Sequence, residues 1–362
     1  MKQEPLSILS QQGNYSVSFS DELEQLLPEM LELPNSLIVI DENVAFKYHD
    51  DLGPLLIKRP TLHVTATEDE KTPRGVLKVW EFFQASNATK QTNVVVIGGG
   101  ITQDLAQFAC HNYYRGLKWH FAPTTLLAQS DSCIGAKCGI NLGAYKNQLG
   151  VFHSPSHVWI CTRFLKSLDD TEVRSGYGEI IKLHLTRSQP SFFKDLAKTV
   201  SSEGWRNSSL ALFIRRSLEV KKSVIEEDEY EKDIRRILNY GHTFGHSLEA
   251  ITDHAIPHGM AVAWGMDLVN FISMRRGLLS IQDYNEIHEF LADHYHWNLR
   301  RPVSAEELIR GTRRDKKVSD GKLNLVLAST IGKLEIVPCA YDQNLTDEVR
   351  EYLKDHNVIS WD

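Results

Sequence analysis

Residues 93–97, Asn-Val-Val-Val-Ile, run without a break into Gly98-Gly99-Gly100, and an amphipathic stretch follows over residues 102–114. So β-branched a run, with no polar alternation, reads as a strand buried on both faces. Strand, glycines, helix is also the order in which a backbone can approach a phosphate and offer it helix N-terminal amides. Glycine is needed there because a Cβ would block the approach. A triple glycine alone is an ordinary turn, and its place after a buried strand is what points to a nucleotide. Two more apolar runs come earlier, residues 36–40 ending in Asp41 and residues 61–65 ending near Glu68. This alternation makes the first half an α/β nucleotide-binding unit.

Beyond about residue 165 the character changes. Apolar residues recur at three and four positions over residues 171–186, 208–227, 233–251, 260–275 and 281–294, which is the helical signature. Short strand signals return at 323–327 and 333–337. At 362 residues the chain exceeds what one hydrophobic core spans. The expected architecture is an α/β N-terminal nucleotide-binding domain, residues 1–165, plus a mainly α-helical C-terminal metal-binding domain, residues 166–362.

The formal net charge of −7 argues against a general nucleic-acid binder. No apolar run approaches the length of a membrane span. The first residues lack the apolar core of a secretory signal. Cys110, Cys133, Cys138, Cys161 and Cys339 are odd in number and form no Cys-x-x-Cys pair. They fit reduced, buried thiols, so a cytoplasmic location is expected.

Chemistry concentrates in the second half. His242 and His246 are four residues apart and would share one face of a helix. His258 follows in Pro257-His258-Gly259, a helix start, and Glu179 lies in the apolar context Gly178-Glu179-Ile180-Ile181-Lys182. Imidazoles and a carboxylate with one position left open describe a catalytic zinc-type site. The zinc-protease motif needs glutamate after its first histidine, and Thr243 stands there, so a protease is excluded. Paired helical histidines also occur as packing or capping residues, and spacing leaves both readings open. Between the halves, residues 123–150 form a long polar, glycine-punctuated segment carrying Lys137 and Lys146. Segments of that kind are unusual in a compact domain unless they build a site, and these cations and amides suit an anionic ligand.

These blocks together resemble the sugar-phosphate cyclases, the family typified by 3-dehydroquinate synthase. The matching residues are Gly98-Gly99-Gly100 with Asp104, Tyr114-Arg115-Gly116, Pro123 through Asp131, Lys137, Lys146-Asn147, Glu179 with Lys182, Leu238 through His246, and Asp315-Lys316-Lys317. They are collinear from about residue 36 to 337. The resemblance implies NAD, a divalent metal (Zn2+ first, Co2+ possible) and a homodimer. It assigns Glu179, His242 and His258 to the metal. Lys137, Asn147, Asn239 and His246 match phosphate-holding residues, with Arg115 reaching from the partner subunit and Lys316 or Lys317 at a late lysine position. Arg235 and Lys221 match groups near the substrate carboxylate and hydroxyls, and Asp131 and Lys182 match substrate-orienting catalytic residues. Glu231 and His246 occupy proton-transfer positions. For NAD the counterparts are Asp41, Asn43, Glu68, Lys71, Gly99, Gly100, Asp104, Thr124, Thr125 and Lys146.

Departures bear on the substrate. Dehydroquinate synthases usually have two glycines before the lysine and a threonine after it, where this chain has Gly135-Ala136-Lys137-Cys138. Residues 141–147 and Phe152-His153-Ser154-Pro155 look more like cyclases acting on sedoheptulose 7-phosphate, and Gln103 stands where glycine is common. Arg235, Asn239 and Asp315-Lys316-Lys317 follow the dehydroquinate synthase pattern. A guanidinium suits a carboxylate bidentately, and only the heptulosonate substrate carries one at that place. The expectation is therefore a 3-dehydroquinate synthase, with a sedoheptulose 7-phosphate cyclase as alternative. A metal-dependent alcohol dehydrogenase is the alternative of another class. It would not need so many phosphate-directed cations.

Overall fold

The computed structural model describes residues 4–143, 145–299, 302–313, 318–319, 322–355 and 359–361. The chain divides into two compact units, one running to Asp169 and including Lys221–Tyr230, the other holding Asp170–Val220 and the residues from Glu231 on.

The first unit is built on a seven-stranded sheet. Its strands are β1 (Leu6–Ile8), β2 (Tyr15–Ser20), β3 (Ser36–Asp41), β4 (Thr61–Val64), β5 (Asn93–Gly98), β6 (Lys118–Pro123) and β9 (His157–Cys161), in the order β1-β2-β9-β6-β5-β3-β4. Every pairing is parallel except that of β1 with β2. The run anticipated at residues 93–97 is β5, buried along its whole length between β3 and β6. On one side of the sheet Ile38, Ile40, Val95, Ile97, Trp159 and Phe164 form a core with Leu52 and Leu55. After β3 the chain moves outward to β4, and after β5 it moves the other way to β6. The C-terminal ends of β3 and β5 thus mark a topological switch point, where α/β sheets bind ligands.

Two helices shape that edge: α1 (Glu42–Lys47) follows β3, and α2 (Gly100–Asn112) follows β5. The polar segment between the halves is not an open loop. Lys137–Leu142 (β7) and Tyr145–Phe152 (β8) pair as an antiparallel hairpin.

The second unit is mainly helical. Its helices are α3 (Asp170–His184), α4 (Pro190–Glu203), α5 (Leu210–Ile225, which runs on into the first unit), α6 (His242–Ile251), α7 (His258–Arg275), α8 (Ile281–His294), α9 (Ala305–Thr312) and α10 (Gln343–Asp355). Helix α7 is buried continuously from Gly259 to Ser273 and forms the centre of this unit. The strands anticipated near 323–327 and 333–337 form an antiparallel pair, Lys322–Thr330 with Lys333–Cys339.

Two expectations are corrected. The segment 233–251 is not one helix: a 3-10 turn, Ile234–Asn239, precedes Gly241, whose φ of 75° interrupts the helix before His242. Residues 166–362 do not all belong to the helical half, because Lys221–Tyr230 packs with the α/β unit. Polar contacts tie it there. Leu9 N–H donates to Glu226 Oε1 at 2.7 Å, Gln11 N–H to Glu229 Oε2 at 2.8 Å, and Ser10 Oγ to Glu229 Oε1 at 2.6 Å. Periodicity along a helix carries no signal about which unit its last turn joins.

Candidate active site

In the α/β unit the residues expected to serve NAD gather at the switch point. Asp41 ends β3 and caps α1, its Oδ1 accepting from Asn43 N–H at 2.8 Å. Gly99 is the N-cap of α2 and Gly100 its first residue. A Cβ on Gly99 would sit 2.8 Å from Thr125 Cγ2, so any side chain here would have to displace Thr125. Thr124 is buried, and its N–H donates to Gly98 O at 2.9 Å, which carries the edge on to β6. Lys71, also buried, pairs with Asp104 at 2.6 Å. Burial opposes its charge, yet the Asp104 carboxylate outweighs this and raises the ammonium's pKa. Asp104 Oδ1 also accepts from Gly139 N–H at 3.2 Å, pinning the hairpin to α2. Glu68 accepts from Asn141 Nδ2 at 2.8 Å and lies 3.7 Å from Lys146 Nζ.

The same unit holds part of the expected substrate set. Buried Lys221 donates to Asp131 Oδ1 at 2.5 Å and to the Asp131 carbonyl at 2.7 Å. Lys137 and Asn147 are exposed on the hairpin. The backbone of Asn147 lies in the left-handed region (φ 53°), and its N–H donates to Asn141 Oδ1 at 2.9 Å. Arg115 is exposed just beyond α2, with φ 64°.

In the helical unit two helix backbones meet closely enough to bring distant side chains together. A Cβ on Gly178 would lie 1.9 Å from the Gly259 carbonyl oxygen, and one on Gly259 would lie 1.7 Å from that of Ser175. Helices α3 and α7 therefore touch backbone to backbone beside Glu179 and His258. Glu179 is 2 % exposed. Its Oε1 lies 3.1 Å from His258 Nε2 and 3.5 Å from His242 Nε2, and its Oε2 lies 2.5 Å from Lys182 Nζ. Burial pushes this carboxyl's pKa up, but Lys182 and the imidazoles outweigh it and hold it well below the usual range. Burial lowers the pKa of His242 to about 4, so its ring is the neutral form that a metal ligand must be. His258 is opposed by burial too, yet without an ion the carboxylates of Glu179 and Glu249 raise it to about 10, so a metal bound there would displace the ring's Nε2 proton.

The donor set fits a divalent ion. Ligands about 2.0–2.2 Å from a tetrahedral ion stand roughly 3.3–3.6 Å apart, and the Glu179–imidazole distances of 3.1 and 3.5 Å lie near that spacing. The ring nitrogens of His242, His246 and His258 lie within 4.8 Å of one another, a looser limit that sets His246 beside the other two. Nearby, Asn239 Nδ2 donates to Glu231 Oε1 at 3.0 Å, so two expected site residues are in contact. Arg235, in the 3-10 turn that ends at Asn239, is 4 % exposed. Lys316 and Lys317 lie outside the described residues.

Comparison with known proteins gives this arrangement a relationship. Residues 61–175 match the N-terminal part of 3-dehydroquinate synthase and residues 176–318 its C-terminal part. Over 306 residues the chain is 35% identical to the 3-dehydroquinate synthase of Dictyoglomus turgidum, covering 84% of this chain and 85% of the relative. The chain belongs to the 3-dehydroquinate synthase family. Among solved structures, 2-deoxy-scyllo-inosose synthase complexed with carbaglucose-6-phosphate, NAD+ and Co2+ superposes with a TM-score of 0.82 at 25% identity, covering 96% of this chain and 99% of that one. The 2-epi-5-epi-valiolone synthase of Streptomyces hygroscopicus, with NAD+ and Zn2+ bound, gives 0.82 at 25%, covering 97% and 99%.

Against this family background, some polar residues beside the site were not assigned a part in it from sequence. Glu249 contacts His258, and Asn141 bridges Glu68 to the Asn147 backbone. Gln103 and Gln107 on α2 donate to Ser132 O at 2.8 Å and Ala136 O at 2.6 Å, on either side of the turn before Lys137. A signal for Glu249 existed: it stands seven residues after His242 and three after His246, on the same helical face.

Proposed function

We propose that this chain is a NAD- and divalent-metal-dependent sugar-phosphate cyclase. Its proposed substrate is 3-deoxy-D-arabino-heptulosonate 7-phosphate, converted to 3-dehydroquinate with release of phosphate, a carbon–oxygen lyase reaction. The observation that carries the reading is the buried Glu179 carboxylate set between the His242 and His258 rings, in a chain whose relatives are 3-dehydroquinate synthases. When bound, NAD supplies a hydride acceptor that is restored within each turnover, and the ion, Zn2+ or alternatively Co2+, supplies Lewis-acid polarisation of substrate hydroxyls.

This chain's residues have the following parts. In the α/β unit the amides at Gly99 and Gly100 receive the dinucleotide phosphates, and Asp41 and Asn43 stand at the end of β3 for its ribose. Glu68, Lys71, Asp104, Thr124, Thr125 and Lys146 complete that cradle. Lys137 and Asn147 offer a cation and an amide to the substrate phosphate, and Asp131, held by Lys221, orients a ring hydroxyl. In the helical unit Arg235 holds the carboxylate as a bidentate fork, while Lys182 keeps Glu179 ionised and donates toward substrate oxygens. Glu231, positioned by Asn239, and His246 move protons. Arg115 serves the neighbouring subunit of a homodimer. A cation at the phosphate, Lys137, stabilises charge developing on the leaving group.

A second reading, a sedoheptulose 7-phosphate cyclase of the 2-epi-5-epi-valiolone synthase type, is favoured by residues 141–147. The deciding experiment incubates purified protein, NAD and Zn2+ with each sugar phosphate and follows phosphate release and product mass. Turnover of the heptulosonate to a product of 3-dehydroquinate mass is expected. Turnover of sedoheptulose 7-phosphate alone would transfer the assignment to the second reading.

A further inference from the structure

The ring of His258 is gripped at both nitrogens. Nε2 faces Glu179 Oε1 at 3.1 Å, and Nδ1 lies 3.2 Å from Glu249 Oε2. His242 differs, because its Nδ1 lies 3.1 Å from the Tyr240 carbonyl, a neutral acceptor that no side-chain change removes. His258 is the first residue of α7, directly after its N-cap Pro257. Glu249 comes from the last part of α6, the helix that also carries His242 and His246. Its side chain is 11 % exposed, and burying a carboxylate is costly unless it is paired.

We propose that Glu249 is a positioning residue for the metal centre. Its carboxylate accepts from His258 Nδ1–H, fixes the ring's rotation and tautomer, and leaves the Nε2 lone pair turned toward Glu179 and His242. The inference rests on the metal reading proposed above. A carboxylate behind a histidine ligand orients the ring and increases its basicity, and loss of such a partner costs about 10–100-fold in metal affinity. A carbonyl acceptor, as at His242, orients without adding charge. The two imidazoles are thus held by chemically different supports, and His258 is the one a point substitution can release.

The test strips the full-length protein with a chelator and titrates Co2+ back, reading affinity and the visible absorption of the bound ion. Wild type, Glu249→Gln, Glu249→Ala and His258→Ala are compared, with thermal melting of each stripped protein alongside. Glu249→Ala is expected to weaken Co2+ binding about 10–100-fold and to shift the absorption bands. Glu249→Gln, which keeps an oxygen acceptor but no charge, should recover part of the affinity. Melting of stripped Glu249→Gln should stay close to that of stripped wild type. Should Glu249→Ala fail to fold, the Gln variant still decides, because its folded protein must bind Co2+ more weakly than wild type. Equal Co2+ affinity and unchanged spectra for the folded Glu249 variants would overturn the positioning role. Undiminished affinity in His258→Ala would instead overturn the metal reading itself, which keeps the two failures apart.

Discussion

In the proposed function Arg235 carries the choice between two substrates of similar size. The residue is 4 % exposed, in a turn one residue after Ile234 and four before Asn239. A site built around a specific polar partner rejects an analogue lacking it by roughly four orders of magnitude. The heptulosonate should therefore exceed sedoheptulose 7-phosphate in kcat/KM by a large factor, and Arg235→Ala should erase most of that preference. A wild-type enzyme with equal kcat/KM for both would remove Arg235 from this role. His258→Ala makes a second expectation at this scale. With only Glu179 and His242 left of the assigned ligands, the protein should lose bound Zn2+ and turnover while NAD affinity is retained, as metal analysis and NAD titration would read. Full metal content in that variant would return the histidines to a packing role.

Among elements, the crossing of α3 and α7 is the contact on which the carboxylate–imidazole set depends. Gly178 and Gly259 let the two backbones approach, and each lies next to a proposed ligand. Gly259→Ala should force them apart at a cost of about 1–3 kcal/mol or more. It should also weaken metal binding, although no ligand is altered. A variant with unchanged melting and unchanged Zn2+ affinity would contradict this. A second element contact responds to pH. Asp267 on α7 accepts from Tyr352 of α10 at 2.7 Å and pairs with His288 of α8 at 2.9 Å. The hydrogen bond to Asp267 raises the pKa of His288, with burial opposing. A folded pKa above the unfolded value of about 6.5 means that this contribution is fully present below that pH. It is lost as pH rises through the folded pKa. The difference in melting temperature between wild type and His288→Gln should accordingly be largest in mild acid and shrink toward alkaline pH. A difference that grows with pH would refute the linkage.

For the molecule as a whole, the proposed reaction oxidises and re-reduces its substrate within one turnover. Product should form with catalytic NAD and without stoichiometric NADH in steady state. NADH rising mole for mole with product would favour a dehydrogenase instead. Much of this enzyme could be read from its sequence. The β-branched run into Gly98-Gly99-Gly100, the helical periodicity beyond residue 165 and the spacing of His242 and His246 are local patterns, set by side-chain burial along one strand or one helix turn. They located β5, α2 and most helices of the second unit, and the family motifs named the candidate residues. Other features depended on partners far away in the chain. Gly241, left-handed at the break, lies where a Cβ would meet Val262 O and Met266 Cγ at 2.6 Å, and Lys221–Tyr230 attaches to the α/β unit by contacts with residues 9–11 and Asp131. The meeting of Glu179 with His242 and His258, and of His258 with Glu249, required helices packed at their glycines. A linear pattern records which face of a helix is apolar. Which polar groups meet across packed helices is decided by tertiary packing, because that depends on how closely the backbones approach.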